Sequence, residues 1–485
     1  MNKLREHHPL YRELAAIVGS EYVSDEDFAL LSYTRDISHF PGKPQGIVVR
    51  PSCVEDVVEI VRLANLTRTP VIPMGGKASL CGVPPGQPGR GIIVDMRRMN
   101  KIICVDEENQ TVTAECGIMM GELAGKLNEK GWDILTAAQP HYVVTVGGHL
   151  SGCVGAGFSV YGFSVGYNWT YVLGLKVVLP NGSVIQTGMG PGSFTSYRGH
   201  TWTRALEGPD TTGLFIGDGG IFGIKVEATY KIFHLPKFKR GACYTFESID
   251  DAYRALSKVM EIDTNLYLQP YASCFMTSPE TINFMTMGMA PKKWTALILH
   301  VGNSEEEIEL KAKTSDKLFT ELGGTPGPPA VRDFFTEYVS TMRDMGKVGT
   351  MGMYSLFEFI TSKRDILKCM KFSIDFFEEG LKRKGIDKSK VLALTVFLPC
   401  GPNFGMTSII PFYDPSNREL SEKLFELQKE LLETGASLGY WIEASQSYES
   451  QLKAKYWSPE LYNYILTLKK MLDPNNIMNP GLFGF

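Results

Sequence analysis

From residue 46 onward, short all-apolar runs alternate with longer stretches whose apolar residues recur at three-and-four spacing. Ile47-Val48-Val49 predicts a buried strand. Val54, Val57, Val58, Val61, Leu63 and Ala64 then mark one face of a helix over 54–67. Further strands are predicted at 70–73, 92–95, 102–106 and 111–114, with a helix over 119–130. Strands at 172–179 and 183–187 flank the turn Pro180-Asn181-Gly182, and another strand ends at Ile232. Beyond a turn at 234–237 the texture changes. Amphipathic helices are predicted at 249–261, 304–322, 363–383 and 417–436, separated by strand-like runs such as 296–301 and 391–398. Residues 1–45 read as a short helical leader ending in a turn at Pro41, Gly42 and Pro44. The mixture predicts an α+β fold class. Its expected divisions are a leader (1–45), a first domain (46–235), a second domain (236–455) and a closing segment (456–485).

Composition narrows the class. A chain of 485 residues with 44% hydrophobic content supports two or three packed units, since single cores stop growing at roughly 250–300 residues. The formal net charge of −4 lacks the basic footprint of a nucleic-acid binder. The first residues, MNKLREHHPLYREL, are polar, with no apolar core of a secretory signal, and no run approaches the ~20 apolar residues of a membrane span. A cytoplasmic protein is expected. The nine cysteines form no CxxC pair, which predicts reduced thiols rather than a zinc site, an iron–sulfur site or a disulfide framework.

Three glycine-rich segments carry the candidate chemistry. The first, Pro73-Met74-Gly75-Gly76-Lys77-Ala78-Ser79-Leu80-Cys81-Gly82, follows a buried strand. Successive backbone N–H groups in such a loop form a nest for a pyrophosphate, and glycine lets the backbone approach closely. The second is Thr145-Val146-Gly147-Gly148-His149-Leu150-Ser151-Gly152, and the third is Gly217-Asp218-Gly219-Gly220-Ile221-Phe222-Gly223-Ile224. One such loop is an ordinary turn; three in this order point to a nucleotide.

The order PxGGxxxxxG, TVGG, LGLxVVLPNG (173–182) and GPDxxGLFxGxxGxxGI (208–224) resembles the FAD-binding half of the vanillyl-alcohol oxidase, p-cresol methylhydroxylase and glycolate oxidase superfamily. Asp473-Pro474-Asn475-Asn476-Ile477-Met478-Asn479-Pro480-Gly481 resembles that family's closing motif. The resemblance covers roughly 46–232 and 390–485. It implies a two-lobed FAD-binding domain of the PCMH type, an α+β cap domain for the substrate, and a C-terminal return to the FAD site. Carried over by position, it assigns Pro73, Gly75, Gly76, Lys77, Ala78, Ser79 and Gly82 to the pyrophosphate loop. It assigns Pro140, Thr145, Val146, Gly147, Gly148, Ser151, Gly152 and Gly155 to the second segment of the site. Gly217, Gly223 and Ile224 belong to the third, and Asn479 closes the site.

Lys77 stands where members with a histidyl-bound flavin carry histidine, so the resemblance implies noncovalent FAD. None of the eight histidines follows His300. Relatives that hold a metal in the cap use a histidine cluster, whereas the matching stretch here is Val396-Phe397-Leu398-Pro399-Cys400-Gly401-Pro402-Asn403-Phe404-Gly405. A metal-free cap is expected.

Two chemistries stay open. The segments 187–190 and 412–417 and the spacing to 473–476 resemble the 4-alkylphenol branch, although Tyr440-Trp441-Ile442-Glu443-Ala444-Ser445 lacks the arginine that would stabilise a phenolate. The stretch 173–179 resembles the 2-hydroxy-acid branch equally well. There a substrate carboxylate would call on Arg332, Arg343 or Lys347. Candidate catalytic residues are Tyr167, Tyr354, Glu358, Asn403, Tyr440 and Glu443, with Trp441, Tyr448, Tyr456 and Trp457 as candidates for an apolar pocket. The favoured expectation is hydride removal from a C–H next to or conjugated with a hydroxyl of a small aromatic or cyclic molecule. The expected partners are that substrate, an electron-acceptor protein and a second copy of the chain. A third reading is a flavin subunit of a larger electron-transfer complex.

Overall fold

The computed structural model describes residues 7–36, 42–79, 83–134, 141–152, 171–193, 202–204, 208–262, 273–286, 288, 293–341, 353–399, 403–442 and 447–485. Three main sheets organise them.

The first sheet runs in the order Val23–Ser24, Ile47–Val49, Ile92–Asp95, Val71–Met74. Its last three strands are parallel and the first pair is antiparallel. Parallel strands are covered on both faces, which is why Ile47, Val48 and Val49 are all buried. Helix Val54–Thr67 packs on this sheet through Val57, Val58, Ile60, Val61 and Ala64. Glu55 and Asp56 in its first turn suit the positive end of the helix dipole, and Asp56 accepts the Ser52 backbone N–H at 2.8 Å. The leader differs from its expected helical form. Besides helix Tyr11–Val18 it supplies strand Val23–Ser24, because Val23 buries itself against Val49 in the first core.

The second sheet is antiparallel, in the order Ile102–Asp106, Thr111–Glu115, Ile224–Lys231, Val172–Val178, Val184–Gln186. Helices Met120–Asn128 and Val146–Gly152 contribute to its core. The chain end ties the two sheets together. Met478 bridges Val71 beside the first sheet, and Ile477 and Met478 enter that core. Four residues later Leu482 and Phe483 enter the second.

The third sheet has eight antiparallel strands. Phe404–Tyr413 lies near one edge and pairs with Leu392–Pro399, Phe357–Ser362 and Met353–Tyr354. Phe357, Phe359, Ile409 and Tyr413 pack against helices Ile366–Arg383 and Arg418–Ser437. Strand side chains alternate faces, so the residues between them point away from these helices. Helices Ser447–Tyr456 and Pro459–Leu472 follow, the second capped by the Ser458 hydroxyl and started by Pro459.

Candidate functional site

The three glycine-rich segments converge on one cleft between the first and second sheets. Of the residues expected there, Pro73, Gly75, Gly76, Lys77, Ala78, Ser79, Thr145, Gly147, Gly148, Ser151, Gly223, Ile224 and Asn479 line it. Val146 stands behind the wall in the second core, and Gly152 is buried in the same helix. Gly217 lines a different cavity. Gly82, Pro140 and Gly155 lie outside the described residues.

Steric closeness explains the glycines at 75 and 76. A Cβ at Gly75 would come within 2.0 Å of the Thr145 hydroxyl, and one at Gly76 within 1.5 Å of the Val143 carbonyl oxygen. The loop after strand Val71–Met74 is thus pressed against segment 141–145, and two glycines let the backbones touch. Thr145 also holds the next turn, its hydroxyl accepting the Gly148 N–H at 3.2 Å. The half-buried stretch Gly75–Ser79 forms the mouth. Lys77 adopts a positive φ of 57°. Its ammonium donates to the Ser32 carbonyl at 2.5 Å and lies 4.6 Å from the centre of the Tyr33 ring. Burial and the nearby Arg97 charge lower its pKa.

The floor is buried and rich in polar groups. Lys225 donates to Asp218 at 2.6 Å and to the Ser151 hydroxyl at 2.9 Å, with both members of the ion pair 1% exposed. Burial raises the Asp218 pKa against the opposing pull of Lys225. Asn479 donates to the Gly219 carbonyl at 2.7 Å, which orients its amide, while its own Oδ1 is buried without a partner. His149 is 3% exposed, and neither ring nitrogen has a hydrogen-bond partner. Burial moves its pKa down to about 4, so the ring is neutral at ordinary pH. Cys116 also lines the floor, its thiol pKa pushed well up by burial.

The closing motif reaches the cleft because Asp473 organises it. Its carboxylate accepts the Ile477 N–H at 3.0 Å, the Met478 N–H at 2.8 Å and the Lys469 ammonium at 2.5 Å. Lys469 also donates to the Met478 and Ile221 carbonyls at 2.8 and 3.1 Å, so the tail and the third glycine segment share one cation. Burial lowers the Lys469 pKa, with Asp473 opposing the shift.

The candidate catalytic residues divide across the third sheet. Tyr354 pairs with Phe412, and Glu358 pairs with Ser408, whose hydroxyl donates to it. Both occupy the face turned away from helices Ile366–Arg383 and Arg418–Ser437, where Tyr354 clusters with Leu394, Ile410 and Phe412. Burial raises the Tyr354 pKa to about 12, which keeps the phenol protonated. Tyr440 lies on the opposite, helix-covered face against Phe359 and Phe372. With Trp441, Tyr456 and Trp457 it lines a second, aromatic cavity. Tyr448 packs beside the neighbouring core. Asn403 is exposed, its carbonyl accepting the Lys363 N–H at 2.7 Å. Tyr167, Glu443, Arg343, Lys347 and Cys400 lie outside the described residues. Arg332 is paired with its neighbour Asp333. Among the described residues, none of these candidates lines the glycine cleft.

Sequence reasoning missed His149, Asp218 and Lys225. The first two were visible inside the glycine segments. Lys225 carried its own signal, a lone cation where a buried strand begins.

The cleft suits a dinucleotide on the chemistry of its walls: the Gly75–Ser79 loop at the mouth, and buried polar atoms of His149 and Asn479 without partners. Comparison with known proteins agrees. The family model described as "FAD binding domain" matches residues 45–188, and that described as "FAD linked oxidases, C-terminal domain" matches 448–482. The chain is 23% identical over 484 residues to the glycolate oxidase subunit GlcD of Bacillus subtilis (strain 168), covering 97% of this chain and 95% of that protein. It is 24% identical to the mitochondrial D-lactate dehydrogenase [cytochrome] of Arabidopsis thaliana, covering 92% and 76%. Among solved structures, p-cresol methylhydroxylase with substrate bound superposes with a TM-score of 0.79 at 19% identity, covering 98% of this chain and 96% of that one. The 4-ethylphenol oxidase of Gulosibacter chungangensis gives 0.80 at 19% identity with the same coverage.

Proposed function

The chain belongs to the superfamily of FAD-linked oxidoreductases with the PCMH-type FAD-binding fold, and from that premise we propose that it oxidises an uncharged, apolar or aromatic molecule at a C–H next to or conjugated with a hydroxyl. When bound, FAD supplies the hydride acceptor. The proposed holders are the cleft-lining residues of the three glycine segments together with Asn479. In this reading Gly75–Ser79 take the pyrophosphate at the mouth, and Asn479 fixes the far wall. Residues 46–235 and the closing segment form the cofactor domain, and 236–455 form the substrate domain.

One observation supports the substrate class. On strands Met353–Tyr354, Phe357–Ser362, Leu392–Pro399 and Phe404–Tyr413, the face that carries Tyr354 and Glu358 is otherwise built from residues such as Leu394, Ile410 and Phe412. Among the described residues of that face on these strands there is no lysine, arginine or histidine. A carboxylate substrate needs a cation or metal, whereas an apolar ring is held by burial at roughly 25 cal/mol per Å². Tyr354, kept protonated, would donate a hydrogen bond to the substrate hydroxyl. Glu358 would take up its proton.

The end-to-end match to GlcD favours a second reading, dehydrogenation of a 2-hydroxy acid, with the chain as one subunit of a larger assembly. The experiment is anaerobic bleaching of the bound flavin by D-lactate, glycolate, 4-alkylphenols and benzylic or cyclic alcohols. Bleaching by ring compounds alone is expected. Fast bleaching by D-lactate or glycolate with none by ring compounds would replace the first reading with the second.

A further inference from the structure

The floor of the cleft holds a side chain with no work to do in the folded protein as it stands. His149 is buried inside helix Val146–Gly152, lines the cleft, and has two partnerless ring nitrogens. Burying a polar group without a hydrogen bond is costly, so native proteins rarely leave one unless something else completes it. A second partnerless atom, Oδ1 of Asn479, belongs to the same cleft.

We propose that His149 hydrogen-bonds an uncharged polar group of the bound flavin nucleotide, such as a ring carbonyl, a ring N–H or a hydroxyl, rather than its pyrophosphate. The proposal rests on the FAD reading above. Charge placement selects the group. A neutral imidazole offers one donor and one acceptor but no charge. The floor's cation, Lys225, already has its charge matched by Asp218 at 2.6 Å. The floor as a whole is therefore a poor place for two phosphate charges. The mouth is different. It is half-buried, is built of the Gly75–Ser79 backbone and carries Lys77. The dianionic middle of the nucleotide goes there, and an uncharged portion reaches the buried floor.

The test uses the full chain, freed of flavin and titrated with FAD, in three forms: wild type, His149→Leu and His149→Gln. His149→Leu removes both ring nitrogens at similar bulk. It should weaken FAD binding by roughly ten-fold or more, because the ligand group is then buried without a partner. His149→Gln keeps a donor and an acceptor and should recover most of that loss. The melting temperature of the flavin-free protein separates binding from packing. Removing two buried nitrogens that have no partner in the flavin-free protein should leave it unchanged or raise it, so apo stability and FAD affinity move apart. Equal FAD affinity in wild type and His149→Leu would overturn the proposal and leave the FAD reading standing. Loss of affinity accompanied by a lower apo melting temperature would also overturn it, by assigning His149 to the core. Failure of the wild type to bind FAD would overturn the cofactor reading itself.

Discussion

At the scale of single residues, the cleft is governed by closeness and by burial. Gly76 carries no side chain because the Val143 carbonyl occupies the space. Gly76→Val should push segment 141–145 away from the loop at the mouth. The purified variant is expected to lose most of its flavin and to melt earlier, at a cost of at least roughly 1–3 kcal/mol. Cys104→Ser, at an exposed thiol, should change neither property. The ratio of flavin to protein absorbance, with a melting curve, checks both. Burial acts on His149 through protons. Its pKa is about 4 in the folded protein against 6.5 when free, so between those values the unfolded chain binds the extra proton. Stability of the flavin-free protein should therefore fall as pH drops from 6.5 towards 4, by roughly 3 kcal/mol from this residue, and be fully present above 6.5. Urea titrations across that range should give a flatter profile for His149→Leu. An unchanged slope would assign the pH dependence elsewhere.

At the scale of elements, most helices and strands between 46 and 232 were legible because their periodicity is local, whereas helix Pro459–Leu472 and strands Phe238–Phe246 and Phe404–Tyr413 were not read. The helix expected over 54–67 is Val54–Thr67, and the run expected at 92–95 is Ile92–Asp95. Strand Val23–Ser24 was not legible, since two residues have no period and exist as a strand only by pairing with Val48 and Val49. Helix Ser447–Tyr456 was missed for a related reason: its apolar residues form no helical stripe. The last turn of helix Pro459–Leu472 matters most for the site. Lys469 is 3% exposed beside Asp473, and together they hold the segment that delivers Asn479. Lys469→Met would leave the Asp473 carboxylate buried without its cation, at a cost of roughly 3–5 kcal/mol. Chemical denaturation should register that loss, and FAD retention should fall with it. Lys388→Met removes an exposed pair with Glu378 and should cost under about 1 kcal/mol.

At the scale of the whole molecule, the C-terminal segment closes the glycine cleft against residues distant in the chain. Asn479 and Gly219 are 260 positions apart and joined by a 2.7 Å hydrogen bond. The third sheet lies between them in the chain. Lys77 offers the first glycine loop no imidazole for a flavin tether, and its ammonium is engaged with Ser32. Acid precipitation should accordingly leave the flavin in the supernatant. Colour that stays with the pellet would contradict noncovalent FAD. Segment 399–405 carries no imidazole, so flavin reduction by the substrate is expected to survive EDTA. Activity lost to EDTA and restored by zinc or manganese would reveal a metal in the cap. No helix among the described residues is long and apolar enough to cross a membrane.

By itself, the order of residues determined the strongly periodic elements, the α+β class, the three glycine segments and the closing motif. Each depends on interactions between near neighbours: side-chain period, turn chemistry, and the freedom of glycine. Tertiary structure decided which of the marked residues meet. It set Tyr354 and Glu358 on one face of a sheet, because alternate side chains of a strand point in opposite directions and pairing register determines which, and it packed Tyr440, which lies beyond the strands, against Phe359 on the other face. It also produced the buried Asp218–Lys225 pair and the partnerless ring of His149, because burial and hydrogen-bond satisfaction depend on everything that packs around a group, and no local pattern records that.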